Sequence, residues 1–201
     1  MEKTADTRFP IHQLIQRRWS PYAFSKESLK REDLLSLLEA ARWASSAMNE
    51  QPWRYIVALR EDKEDFARLL ACIVEGNQVW AKDAAALLLA VGATRYARND
   101  KENPHAWYDV GQANAQLALE AAARGLFVHP MGGFDGDKAR DTLAIPEGFE
   151  PVCALAVGHP GDVEELPEGL KERELSLRSR REVADFAFAG RWESPLVRSS
   201  D

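Results

Sequence analysis

Apolar residues fall at helical spacing between Phe9 and Arg18, where Ile11, Leu14 and Ile15 share one side, and this predicts a first helix. A second helix is expected from Ser28 as N-cap to about Ala44, carried by Leu34, Leu35, Leu37, Leu38, Ala41 and Trp43. Arg54–Leu59 is rich in β-branched and aromatic residues and reads as a strand. An amphipathic stretch over Lys63–Glu75 predicts a third helix. Ala84–Val91 is apolar without alternation, the pattern of a strand covered on both faces. Ala106–Arg124 is rich in alanine and stops at Gly125, which predicts a long, closely packed helix. Short strands are expected at Leu126–Met131 and Pro151–Val157, with a helix over Gly136–Leu143 between them.

Two segments break this rhythm. Arg95–His105 is polar and holds a proline, as a surface loop or lid would. From about residue 165 the chain is charged and interrupted by Pro and Gly. Such a tail has little core of its own and either stays disordered or wraps another surface, a partner subunit included. Alternating helices and strands make the fold α/β or α+β. The 201 residues suit one compact domain, with two as the alternative.

Composition narrows the chemistry. A net charge of -6 argues against a general nucleic-acid binder, and no apolar run is long enough to span a bilayer. Cys72 and Cys153 form no CxxC pair and are read as reduced thiols in a cytoplasmic protein. The four histidines show no metal-ligand spacing, and no G-x-S-x-G, H-E-x-x-H, P-loop or GxGxxG motif occurs.

Four stretches carry candidate chemistry. Arg17, Arg18 and Ser20 near one terminus, and Arg178, Arg180 and Arg181 near the other, suit phosphate oxygens, although either cluster also fits a solvated charged face. Ser45–Arg54 sets small and amide residues between a helix and a strand, which fits either a ligand loop or an ordinary connection plugged by Trp53. Pro130–Asp135 places two glycines where a strand gives way to a helix. That allows close backbone approach to a flat ring, and a simple turn explains it as well.

In their order along the chain these stretches resemble the nitroreductase family of flavoproteins. Arg18-Trp19-Ser20-Pro21-Tyr22-Ala23-Phe24 is similar to the family's N-terminal RxSxRxF-like motif, which serves the FMN phosphate and ribityl chain; the resemblance puts Arg17, Arg18, Trp19, Ser20 and Tyr22 at the cofactor. Ser45–Trp53 resembles the PSxxNxQPW motif that reaches the flavin from the second subunit, implying Ser45, Ser46, Ala47 and Asn49. By the same likeness Asn77 meets the pyrimidine edge, and Pro130, Met131, Gly132 and Gly133 lie beside flavin N5. Arg178 and Arg180 look like the C-terminal pair that closes on the phosphate.

The resemblance implies an α+β fold, a three-layer α/β/α sandwich around a mixed central sheet. Residues 1–201 would form one domain, with an extension from about 165 to 201 wrapping the partner of a homodimer. It implies an oxidoreductase carrying electrons from NADH or NADPH through FMN to nitroaromatic, quinone or similar acceptors by ping-pong kinetics, with no catalytic side chain and no metal. Alternatives on the same scaffold are dehalogenation, flavin fragmentation, dehydrogenation, or a non-enzymatic flavin carrier or sensor. Tyr22 stands where many members carry Lys or Arg, which implies a lower flavin potential here.

Overall fold

The centre of the molecule is β2 (Ala86–Ala93), in which every residue but the last is buried. The structure, a computed structural model, describes residues 3–196. β2 is flanked by β1 (Trp53–Leu59) and β4 (Phe149–Gly158), and β3 (Phe127–Met131) closes the far edge, giving the order β1-β2-β4-β3. On one face α2 (Arg31–Arg42) and α5 (Ala106–Ala123) cover a core that includes Leu37, Leu88, Val110, Leu117 and Leu155. On the other, α3 (Lys63–Leu70), α4 (Glu75–Ala81) and α6 (Gly136–Thr142) enclose Phe66, Leu69, Trp80, Leu87 and Leu89. Because β2 is covered on both sides, its sequence is continuously apolar, whereas β1 alternates Tyr55 and Val57 toward one core with Ile56 and Ala58 toward the other. This is the expected α+β sandwich.

All three pairings are antiparallel, so the sheet of the described chain is not the mixed one expected. β2 and β3 do run the same way, joined by α5 as a crossover. β4 inserts between them, however, and pairs antiparallel with both, so their parallel relation is never expressed as a ladder.

Other differences have local causes. The first helix, α1 (Gln13–Arg17), starts later than Phe9 because Pro10 disfavours helical backbone before it, and the His12 ring caps Leu14 N–H instead. α2 is preceded by Lys30 rather than Ser28, with the intervening Leu29 buried in the core. The predicted helix over Lys63–Glu75 ends at Leu70. Ile73 bridges to Phe134 and Val74 N–H donates to the Gly133 carbonyl at 3.1 Å, and this long-range pairing starts a separate helix, α4. The Arg95–His105 segment is folded on itself by an Arg95–Glu102 bridge and an Arg95–Asp100 ion pair. The tail contains α7 (Glu168–Leu175), and beyond it Leu177 and Trp192 are 95% and 80% exposed. The last part of the expected extension, 197–201, lies outside the described residues.

Candidate functional site

The two arginine clusters meet. Arg18 follows α1, Arg178 and Arg180 follow α7, and together with Ser20 they line a cavity of about 320 Å³. Arg18 Nη1 donates to Ser20 Oγ at 3.4 Å, and Arg178 Nη1 to the carbonyls of Lys3 and Gln16 at 2.7 and 2.6 Å. None of the three guanidiniums forms an ion pair among the described residues. Burial, and then the charges of Arg178 and Arg180, lower the pKa of Arg18, so the cluster is held together against its own repulsion. Such an arrangement is suited to a multiply charged anion. A second cavity, of about 460 Å³, shares Arg18, Arg178 and Arg180 and adds Asp6, Arg8 and Glu182 with Phe9, Ile11 and Ile15.

From this cradle the chain runs along the edge strand β3. The Trp19 ring meets Phe127 edge-on at 5.8 Å. Tyr22 packs on Trp80 and His129 at 5.3 and 4.8 Å, and His129 Nδ1 donates to the Pro21 carbonyl at 2.8 Å. Burial lowers the His129 pKa, the hydrogen bond to the Pro21 carbonyl partly opposes this, and the charge of Arg18 lowers it a little further. Pro130 is tolerated because β3 is an edge strand, where an N–H is dispensable.

At the far end of β3, Asn77 Nδ2 donates to the Gly133 carbonyl at 3.4 Å. A Cβ on Gly133 would lie 2.7 Å from Asn77 Nδ2 and 3.0 Å from Val74 Cγ2, so a side chain there would displace the Asn77 amide. At Gly132 a Cβ would meet nothing within 4 Å, which leaves the backbone there open to a flat ligand. Arg18, Trp19, Ser20, Tyr22, Asn77, Pro130, Met131, Gly132, Gly133, Arg178 and Arg180 therefore share one flank of the molecule. Arg17 ends α1 and lines neither cavity.

Ser45, Ser46, Ala47 and Asn49 lie elsewhere, in the turn that enters β1 on the opposite edge of the sheet. Three strand spacings, on the order of 14 Å, separate β1 from β3. Met48, Asn49 and Gln51 all adopt positive φ, and Met48 is 74% exposed. Non-glycine residues hold that backbone only when their surroundings impose it. The bracing comes from α5: Asp109 Oδ2 accepts Ala47 N–H at 3.0 Å, and Gln112 accepts from Ser45 Oγ at 2.7 Å. Glu50 Oε1 in turn accepts Ala97 N–H, tying the turn to the 95–105 segment.

Two residues here escaped sequence reasoning. Asp109 is buried inside an alanine-rich helix, and Glu174 is buried in a helix that reads as solvated charge. A signal existed only for Asp109, an acid in the first turn of an alanine-rich helix.

The sequence profile of the Nitroreductase family matches residues 15–159. A solved structure of an oxidoreductase containing FMN superposes with a TM-score of 0.89 at 37% identity, covering 94% of this chain and 96% of that one. An uncharacterized 15.4 kDa protein of Mycolicibacterium smegmatis is 36% identical over 133 residues, which span 66% of this chain and 88% of the relative. A protein of Archaeoglobus fulgidus, provisionally named an NADH dehydrogenase/NAD(P)H nitroreductase, is 25% identical across 77% of this chain and 88% of its own length. Profile, relatives and fold agree, and the chain belongs to the nitroreductase family of oxidoreductases.

Proposed function

We propose that the protein is an FMN-dependent oxidoreductase that takes electrons from NADH or NADPH and passes them to nitroaromatics, quinones or similar small acceptors. The observation that carries this reading is the convergence of Arg18, Ser20, Arg178 and Arg180 beside an edge strand that ends at the open backbone of Gly132. β3 rises roughly 3.3 Å per residue, so a phosphate on the arginines and a ring at Gly132 fit the two ends of one extended cofactor.

In this reading the three guanidiniums and the Ser20 hydroxyl hold the phosphate. Tyr22 lies along the cofactor's path, while Asn77 and the backbone of Met131–Gly133 orient the ring. FMN, when bound, supplies reversible two-electron transfer; the chain supplies position and a partly dry setting. No side chain needs to act as acid or base, and donor and acceptor use the open face in turn.

The turn at Ser45–Gln51 is too far from this flank to serve the same ring within one chain, which favours a homodimer in which it reaches the partner's cofactor. Trp43, Met48, Trp107 and Tyr108 are 71%, 74%, 50% and 70% exposed around α2 and α5, an apolar surface that a second copy would cover. Residues 1–201 are read as one flavin-binding domain, with the segment after about 165 as its extension. No described helix is long and apolar enough to cross a membrane, and a cytoplasmic location is the reading that two unpaired thiols favour.

The test is an anaerobic visible titration of the purified protein with NADH and then NADPH. Flavin bands that bleach with either nucleotide and return with a quinone are expected. Bound flavin that neither nucleotide reduces would shift the reading to a carrier or a specialised reaction, and a protein that cannot be loaded with FMN would end it.

A further inference from the structure

α7 is anchored in an unusual way. It is charged around most of its circumference, and its one buried residue is a carboxylate, Glu174, at 2% exposure. Its position is electrostatically poor. It lies in the last turn, where the helix dipole disfavours negative charge, and burial raises its pKa. Something must offset that cost.

The compensation comes from the other arm of the cradle. Tyr22 N–H donates to Glu174 Oε2 at 2.8 Å, and the nearby Ala23 N–H further favours the charged carboxylate. Lys3 adds a nearby positive charge and donates from Nζ to the Glu174 carbonyl. Glu174 lines the same cavity as Arg18, Ser20, Arg178 and Arg180, yet it pairs with none of the three guanidiniums among the described residues. A carboxylate amid three arginines that accepts the Tyr22 N–H instead leaves those arginines available to another anion.

We infer that Glu174 is a positioning residue for the phosphate end of the flavin: its carboxylate ties the Ser20–Ala23 segment to α7 and so sets Arg18 and Ser20 opposite Arg178 and Arg180. This rests on the reading that the cradle holds FMN phosphate. Only four positions separate Glu174 from Arg178, so a loosened α7 moves the arginine pair directly. The ring end of the site depends on Asn77, Gly132 and Gly133, which Glu174 does not touch.

The experiment compares FMN with riboflavin, which lacks the phosphate, by flavin-fluorescence titration of the full-length protein. In Glu174→Gln one oxygen acceptor becomes an amide donor facing an N–H. FMN binding is expected to weaken about tenfold, while riboflavin binding changes less than about twofold. Equal weakening of both flavins would make Glu174 a general scaffold residue and overturn the inference, as would no change in either. Glu174→Asp, which keeps the charge but withdraws it by one methylene, is expected to lose part of the same FMN preference and serves if the glutamine variant does not fold. Failure of both variants to fold would also overturn it. Wild-type protein that binds neither flavin would instead remove the FMN reading itself.

Discussion

The arginine cradle and the Ser45–Gln51 turn are both built on a buried carboxylate that accepts backbone N–H groups, and there the likeness ends. Glu174 draws two arms of one chain inward around a cavity, so that like charges are gathered with no ion pair to them among the described residues. Asp109 instead stiffens a turn whose side chains face outward, with backbone held at positive φ and Met48 in solvent. One region gathers its groups from two distant stretches of a single chain. The other is held rigid by α5 at the opposite edge of the sheet. The same device therefore serves two ends: concentrating charge in the first case, and presenting a rigid edge in the second.

Removing the charge from the cradle is expected to have the largest effect. Arg178→Ala with Arg180→Ala should weaken FMN binding at least about 100-fold, as for the loss of two charge-assisted contacts, with the sedimentation behaviour unchanged. A double variant that retains FMN affinity would show that the anion sits elsewhere. In the turn, Asp109→Ala leaves the Ala47 N–H without its acceptor and should cost about 1–3 kcal/mol in denaturant unfolding. Cleavage by protease should rise between residues 45 and 51, and FMN affinity should fall far less than in the cradle variant. Equal loss of FMN in both variants would erase the contrast between the two regions.

The smallest expected effect is that of His129 on pH. Its pKa is lowered in the fold, so the folded state disfavours the proton that the unfolded chain takes up near pH 6.5. Its contribution is fully present above that pH and is lost as the pH falls toward the lowered value, by about 1 kcal/mol or less. Glu174, with a raised pKa, acts in the opposite sense at lower pH. Urea unfolding between pH 8 and 6 should therefore show a decline that is absent in His129→Gln; an unaltered slope in the variant would assign the decline to another group.

What could be read in the sequence follows from how local each cause is. β2 was visible because burial on both faces writes itself as an unbroken apolar run, and α5 because tight packing selects alanine. The break between α3 and α4 was not visible, since it depends on Ile73 pairing with Phe134, sixty-one positions away. The insertion of β4 between β2 and β3 leaves no local trace for the same reason. Arg18 and Arg178 were legible as separate basic clusters, whereas their meeting required the tertiary path of α7. Glu174 was hidden among the charges of its own helix, where nothing marks one glutamate as buried.

The place of β4 also sets a hazard during synthesis. β1 emerges from the ribosome before β2, so one edge of β2 can be paired early, but the ladder that joins Ala86 to Val157 must wait for the last strand. Until then Ala86–Ala93, uncharged and free of proline, presents an open edge of the kind that recruits other chains. α5, made in the interval, can cover one face of that strand but cannot cap its edge. Slow translation or truncation before residue 149 should thus favour aggregation over soluble fragments, and the risk lies in the most stable-looking strand of the finished protein.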